Sequence, residues 1–132
     1  MRIVLDTNVL VSSLINPYGK PATVLNAVLS KFISPCFDAR IITEYERVLR
    51  RPRFQFKNDD IRSLLDFFLR EGYFVSPEPV HLQLPDLSDL VFIEVARASD
   101  APIVTGNAKH FPEDFVKVLS PAMLLETIHI RD

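Results

Sequence analysis

The sequence predicts an α/β fold, with three α/β/α layers around a central parallel sheet of about four to five strands. Short segments rich in Val, Ile and Leu alternate along the chain with longer segments whose apolar residues recur at helical spacing. The first short segment is apolar at both alternate sets of positions, which is typical of a strand buried on both faces of a parallel sheet.

Composition limits the function classes. The chain has 132 residues, 48% of them hydrophobic, and no repeat or linker, so we expect a single domain over residues 1–132. With a net charge of −2, the chain lacks the excess of basic residues that dedicated nucleic-acid-binding proteins usually have. Nucleic-acid binding would therefore need a local basic patch or a metal ion. One cysteine and no signal or membrane-spanning segment lead us to expect a cytoplasmic protein without membrane contact.

The first half of the chain reads as two strands and three helices. Residues 2–11 are expected to form a strand with polar residues 6–8 near its carboxyl end, and a helix starts at residues 20–23 and continues its apolar stripe to Phe32. Residues 33–37 suggest a strand that Pro35 restricts to a sheet edge or a strand start. The next helix, capped by Asp38 or Thr43, contains Glu44 and ends before Pro52. A third helix runs from residues 58–60 to Gly72 and should bury Ile61, Leu64, Leu65, Phe68 and Leu69.

The second half continues the alternation. Residues 73–75 suggest a short strand, and the polar loop 85–89 precedes a helix capped by Ser88 or Asp89. Residues 102–105 form a compact strand that Gly106 and Asn107 turn sharply. A last strand at 116–119 leads to a short helix with Ser120 as cap and Pro121 in its first turn.

Four polar residues lie where this layout places strand ends or helix starts: Asp6, Glu44, Asp89 and Asn107. Parallel connectivity brings such positions to one edge of the sheet, so we expect them to meet there. Three carboxylates in a partly dehydrated cleft repel one another unless a cation neutralises them. A hard ion such as Mg²⁺ resolves the conflict and can activate water for phosphodiester hydrolysis.

Each of these residues also has a local explanation. Glu44 could be a favourable acid in a first helical turn, Asp89 a helix cap, and Asn107 an ordinary turn residue. Asp6 is different, because an unpaired carboxylate inside an apolar strand is costly. Their joint position, rather than any one of them, indicates a functional site.

Residues 3–12 (IVLDTNVLVS) resemble the start of PIN-domain proteins, in particular the toxin components of toxin–antitoxin pairs. Three similar segments follow in the same order: residues 42–49 (ITEYERVL), 84–92 (LPDLSDLVF) and 103–111 (IVTGNAKHF). The resemblance spans nearly the whole chain. It implies a PIN-like fold that cleaves RNA with Mg²⁺ or Mn²⁺, and it places Asp6, Glu44 and Asp89 at the positions of the metal-binding acids.

The resemblance also implies supporting roles and shows two departures. Thr7 and Asn8 would orient Asp6 or a bound water, with Thr105 as a further supporting residue. Asn107 stands where the family often has an acid, although an amide oxygen can still serve the reaction, so we keep it in the catalytic set. Ser88 stands where the loop often has a second acid, and Asp86 is a candidate to compensate as a metal ligand. Fewer carboxylates imply weaker metal binding and leave open whether one ion or two is held.

A dense basic cluster follows Glu44, with Phe54 and Phe56 interleaved. Its members are Arg47, Arg50, Arg51, Arg53 and Lys57. The cluster could hold an RNA backbone or an acidic partner, with the aromatic rings stacking on bases. It could equally be a solvated helix end whose arginines offset the helix dipole while both rings lie in the core.

Three hypotheses follow. The leading one is an endoribonuclease that uses metal-activated water and acts as the toxin of a pair with a small antitoxin; the resemblance also implies a homodimer. The second is a catalytically degenerate PIN fold that binds RNA or protein, which Asn107 and Ser88 favour. The third, a phosphotransferase or phosphatase with Asp6 as nucleophile, is disfavoured because Asn8 stands where a second acid is needed.

Overall fold

The structure, a computed structural model, describes residues 1–128. Within them, five short parallel strands form one sheet in the order β3-β2-β1-β4-β5. The strands are β1 (Arg2–Leu5), β2 (Ser34–Phe37), β3 (Tyr73–Phe74), β4 (Ile103–Val104) and β5 (Val118–Leu119). The predicted parallel α/β architecture is confirmed.

Six α-helices in this part of the chain form the layers on either side of the sheet. They are α1 (Thr7–Ile15), α2 (Lys20–Leu29), α3 (Ala39–Leu49), α4 (Asn58–Glu71), α5 (Leu90–Ser99) and α6 (Pro121–Thr127). α1 packs against α2, and α3 packs against both α4 and α5. No helix within residues 1–128 combines the length and the apolar character that crossing a membrane requires.

β1 lies at the centre of the sheet because its side chains are suited to complete burial. Ile3, Val4 and Leu5 are each no more than 1% exposed, as expected of a strand covered on both faces. The chain order reverses at β1, since β2 and β3 extend to one side and β4 and β5 to the other. Such a reversal leaves a crevice beyond the carboxyl ends of the strands, where open α/β sheets bind their ligands.

The expectation that residues 2–11 form one strand is wrong beyond Leu5. β1 ends there, and α1 begins at Thr7 with Asp6 at its N-cap position. Val9 and Leu10 are buried, and so is Ser13 one turn later, which is helical spacing. The apolar residues 9–11 fit the spacing of a strand and of a helix alike, so the sequence pattern could not separate the two elements. As a result, Asp6 lies at a strand-to-helix junction.

Side-chain caps fix where two of the helices begin. Asp38 caps α3 by accepting the Ile41 N–H at 3.1 Å, whereas Thr43, the alternative cap, lies inside the helix. Ser120 caps α6 by accepting the Met123 N–H at 3.1 Å, as predicted. The Asp38 cap therefore decides the position of every later residue in α3.

The structure confirms that Gly72 ends α4 and decides between the two alternatives for Pro35. It also shows that two residues of the predicted apolar helix faces are exposed. Gly72 ends α4 as expected, but for a steric reason: a Cβ there would lie 2.5 Å from the Phe37 ring and 2.7 Å from the Pro35 carbonyl oxygen. Pro35 is the second residue of an interior strand, so the strand-start alternative is correct and the edge alternative is wrong. Phe32 lies beyond α2 and is exposed, and Leu69 is half exposed rather than buried.

Candidate active site

A cleft of about 460 Å³ opens beyond the carboxyl ends of β1 and β4, at the reversal of the sheet. The four predicted site positions all line it, and so do several supporting residues: Asp6, Glu44, Asp89 and Asn107, with Thr7, Asn8 and Asp86. A larger depression, about 680 Å³, lies at the opposite ends of the strands beside Met1 and Lys117, and no predicted site residue lines it. The acidic side chains thus share the smaller cleft.

Asp6 is the most buried acid of the cleft, at 8% exposure. Its Oδ2 accepts the Thr105 hydroxyl at 2.7 Å, and its carboxylate also accepts a hydrogen bond from the Thr7 backbone. Burial raises the pKa of Asp6, and the negative charge of Glu44 adds to this, while the two hydrogen bonds oppose it. A positive charge placed beside Asp6 would therefore stabilise the ionised form of its carboxyl group.

Glu44 reaches the cleft from the second turn of α3, not from a helix start as predicted, because the cap at Asp38 places it six residues into the helix. Its Oε2 accepts the Thr7 hydroxyl at 2.8 Å, and its Oε1 accepts a bond from Arg47 Nη2 at 3.1 Å. Thr7 therefore orients Glu44 through its side chain, whereas the resemblance implied that it orients Asp6 or a water. The favourable first-turn explanation of Glu44 does not apply.

Asp89 stands at the N-cap position of α5 without making a side-chain capping bond. Its side chain is 14% exposed, and its nearest basic neighbour is His110, with Nδ1 3.9 Å from Oδ2. Burial first, and then the charges of Asp6, Asp86 and Glu44, raise the pKa of Asp89 to about 6. The capping explanation of Asp89 fails, and its carboxylate is left facing other acids.

Asp86 caps the turn that precedes α5, whereas the sequence predicted Ser88 or Asp89 as the cap of α5 itself. Its Oδ1 accepts both the N–H and the hydroxyl of Ser88, at 2.9 and 2.7 Å, and so begins the 3₁₀ turn Leu87–Asp89. These two bonds lower the pKa of Asp86. Asp86 is thus an ionised cap at the mouth of the cleft.

Thr105 links the two sides of the cleft. While its hydroxyl donates to Asp6, the same oxygen accepts the Asn107 N–H at 3.0 Å. The Asn107 side-chain amide in turn lies 3.1 Å from His110 Nε2. His110 also lines the cleft, although it was not among the predicted site residues. Its spacing of three residues after Asn107 is the signal that could have identified it.

The basic cluster divides into two groups. Arg47, Arg51 and Arg53 line the cleft together with Phe54. Arg50 is directed elsewhere and bonds to Glu46 at 3.4 Å and to Asn58; Lys57 precedes α4 and does not line the cleft. The Phe54 ring stacks on Phe56, with centroids 5.4 Å apart, and Phe56 packs against the core. Three members of the basic cluster therefore form an arginine rim of the cleft, and Arg50 and Lys57 lie outside it.

Comparison with known proteins decides the family. A family model described as the PIN domain matches residues 2–109. The chain belongs to the PIN-domain family. It is 30% identical over 110 residues to the uncharacterized protein MJ1680 of Methanocaldococcus jannaschii, covering 81% of this chain and 71% of that one. Its fold is similar to VapBC2 of Rickettsia felis, solved bound to a DNA fragment from its promoter, with a TM-score of 0.58, 18% identity, and coverage of 91% of this chain and 98% of that one.

The PIN cleft offers oxygen donors that suit a hard divalent cation. Its candidate ligands are carboxylates, which Mg²⁺ and Mn²⁺ prefer. Among residues 1–128, no three His, Cys, Asp or Glu side chains are gathered closely enough to hold an ion as they stand. Mg²⁺ is usually bound through one or two carboxylates and keeps several waters, so it does not require such a cage. The donor chemistry and the raised pKa values of Asp6 and Asp89 fit this kind of ion.

Proposed function

We propose that this PIN domain is a metal-dependent endoribonuclease in which Asp6, Glu44 and Asp89 hold Mg²⁺ or Mn²⁺. The observation that carries the proposal is the placement of Asp89, which begins a helix without capping it and lines one cleft with Asp6 and Glu44; burial, and then the charges of these acids, raise its pKa to about 6. A fold that crowds carboxylates in this way is stabilised by a cation. Asp86, bound to Ser88, is the less suitable ligand.

The remaining residues of the cleft orient these acids. Thr105 holds Asp6, and Thr7 holds Glu44, each through a hydroxyl bond to one carboxylate oxygen. The other oxygen of Glu44 accepts a bond from Arg47, which a bound cation would displace. A divalent cation, when bound, supplies Lewis-acid polarisation of the phosphate and a lowered pKa of bound water. Asn107 contributes an amide beside His110 rather than a further negative charge.

The arginine rim supplies the binding surface for a polyanion. Arg47, Arg51 and Arg53 lie on the same cleft as the acids, so their positive charges can contact the phosphates on either side of a cleaved bond. The half-buried Phe54 ring lies among them, stacked on Phe56 and covered by the Arg53 guanidinium at 4.9 Å, so an unpaired base would stack on it by displacing Arg53. These features favour single-stranded RNA as the substrate.

Cleavage of a mixed panel of RNAs with Mg²⁺ or Mn²⁺ tests the proposal. We compare the wild-type protein with Asp6→Asn and, as a matched control, with Asp59→Asn, an exposed acid in the first turn of α4. The expected result is cleavage by the wild type and the control and its loss in Asp6→Asn, with all three folded by circular dichroism. Equal activity of Asp6→Asn and wild type would refute the mechanism.

A catalytically degenerate PIN fold that binds RNA or protein is the second candidate. Two observations favour it: Asn107 adds no charge to the cleft, and the Arg47 guanidinium already contacts Glu44 at 3.1 Å. Titration calorimetry with MnCl₂ separates the candidates. Binding in the micromolar to low millimolar range supports the nuclease, and the absence of heat at millimolar Mn²⁺ supports the degenerate module.

We also infer that the protein acts as the toxin of a toxin–antitoxin pair, is blocked by a small antitoxin, and forms a homodimer. The four family-like segments and the fold similarity to VapBC2 support this inference. Growth arrest on expression, relieved by Asp6→Asn and by co-expression of a small adjacent open reading frame, is the expected result. Light scattering of the purified protein measures the oligomeric state.

A further inference from the structure

An ionic chain made of one half-exposed arginine and two buried carboxylates joins three segments of the protein. Arg40 donates from Nε and Nη2 to Asp38 Oδ2, at 2.8 and 2.7 Å, and from Nη1 to Glu94 Oε1 at 2.7 Å. The other oxygen of Glu94, Oε2, accepts the Val80 N–H at 2.7 Å. The carboxylates of Asp38 and Glu94 are almost completely buried, and every oxygen of Glu94 has a partner.

The three joined segments carry or lead to every acid of the cleft except Asp6. Asp38 caps α3, which holds Glu44, and Glu94 lies five residues after Asp89 at the start of α5. Val80 belongs to the connection between β3 and Asp86. Within the described chain, its bond to Glu94 is the one hydrogen bond that ties residues 76–85 to the rest of the protein. Apart from it, this connection is held by the packing of Leu82 and Leu84 against the core.

Stability alone is a weak explanation for such a network. The carboxylates of Asp38 and Glu94 lose their hydration on burial, and their attraction to Arg40, whose side chain is 49% exposed, offsets only part of that cost. A guanidinium that bonds two carboxylates along different edges does fix their relative orientation, because its donors form a rigid plane. The network is therefore better suited to setting geometry than to adding stability.

We propose that Glu94 and Arg40 are positioning residues of the cleft. They fix α3, α5 and the 76–86 connection relative to one another, so that Glu44 and Asp89 face the same cation. The effect on a cation rests on the proposed function. How firmly residues 76–89 are held in place, however, is a property of the metal-free protein and can be measured without it. Neither residue lines the cleft, so their effect on a bound cation is indirect.

The test compares Glu94→Gln with the wild type and with Glu71→Gln. The glutamine can accept the Val80 N–H only by turning its amide N–H₂ towards the Arg40 guanidinium, where donor meets donor. Glu71→Gln is the matched control, because it removes a helix carboxylate that pairs with Lys31 and Arg70 far from the cleft. Two quantities are measured at a temperature where all three proteins are folded: the Kd for Mn²⁺, and amide hydrogen exchange of residues 76–89 without metal.

We expect Glu94→Gln to weaken Mn²⁺ binding about tenfold, as loss of outer partners of metal ligands does, and to speed exchange in residues 76–89, with both quantities unchanged in Glu71→Gln. Wild-type Mn²⁺ affinity in Glu94→Gln, with the protein folded, overturns the proposal. If the wild type binds no Mn²⁺, the proposed function fails instead. Amide exchange then decides the positioning role: faster exchange in Glu94→Gln supports it, and unchanged exchange overturns it.

Discussion

Replacing Asp89 by asparagine should stabilise the metal-free protein while removing its proposed metal site. The carboxylate faces Asp6, Asp86 and Glu44 in a cleft where only 14% of its side chain is exposed. Its pKa is about 6 in the folded protein, against an ordinary value of 3.8. The ionised form is therefore disfavoured by folding, and an uncharged side chain of the same shape escapes that cost.

The size of the effect follows from linkage. A difference of about two pKa units corresponds to about 3 kcal/mol at neutral pH, at about 1.36 kcal/mol per unit. The new amide has its own desolvation cost without an assured partner, so we expect a net gain of about 1–2 kcal/mol and a rise in Tm on the order of 5 °C. The free-energy cost of holding an ionised Asp89 in the folded protein is complete above its folded pKa of about 6, and it disappears as the pH falls towards 3.8. The advantage of Asp89→Asn over wild type should therefore shrink between pH 7 and pH 4.

Urea unfolding in the presence of EDTA, at pH 7.5 and at pH 4.5, measures this difference. Asp59→Asn is the control, because this exposed acid in the first turn of α4 lies outside the cleft, so its loss should not stabilise the protein. Adding Mn²⁺ should raise the stability of the wild type and leave Asp89→Asn unchanged. The reasoning is refuted if Asp89→Asn is no more stable than wild type at pH 7.5, or if its gain is the same at both pH values.

Three further predictions concern other residues of the cleft. Asn107→Asp adds a carboxylate and should tighten Mn²⁺ binding several-fold by calorimetry, with no change if Asn107 is only a turn residue. Thr105→Val removes a bond that lowers the pKa of Asp6, so the pH below which Mn²⁺ binding is lost should move upwards. Arg53→Ala should weaken RNA binding and reduce its salt slope by about one, measured by filter binding, whereas Arg50→Ala, which pairs with Glu46 outside the cleft, should not.

The fold could be predicted where the sequence pattern fitted only one kind of element. The prediction failed where the same residues fitted both strand and helix spacing. Alternation of strands and helices, together with a fully apolar β1, was enough to predict a parallel sheet. α1 was missed because residues 9–11 are apolar in sequence and satisfy strand and helix alike. Only the packing of Val9, Leu10 and Ser13 on one helical face selects between them, and that packing is a tertiary property.

The acids of the cleft were predictable by position, but their individual environments were not. Asp86 accepts the Ser88 N–H at the turn before α5, whereas Asp89 makes no side-chain capping bond although it is the N-cap residue of α5. Residue type alone could not predict this, because each of these polar side chains is a good cap. By contrast, the direction of Arg50 could have been inferred, because Glu46 lies four residues before it on the same helix.

The local charges also resolve the conflict between an acidic chain and the polyanionic substrate that we propose. Four carboxylates and three guanidiniums line the cleft, so full ionisation leaves it with one net negative charge, in line with the −2 of the whole chain. One divalent cation would turn that into one net positive charge and would do so at the place where a phosphate must approach. The acids would thus prevent RNA binding when the cation is absent and assist it when the cation is bound. Since coupling between two ligands is reciprocal, RNA should raise the affinity for the cation by the same factor by which the cation raises the affinity for RNA.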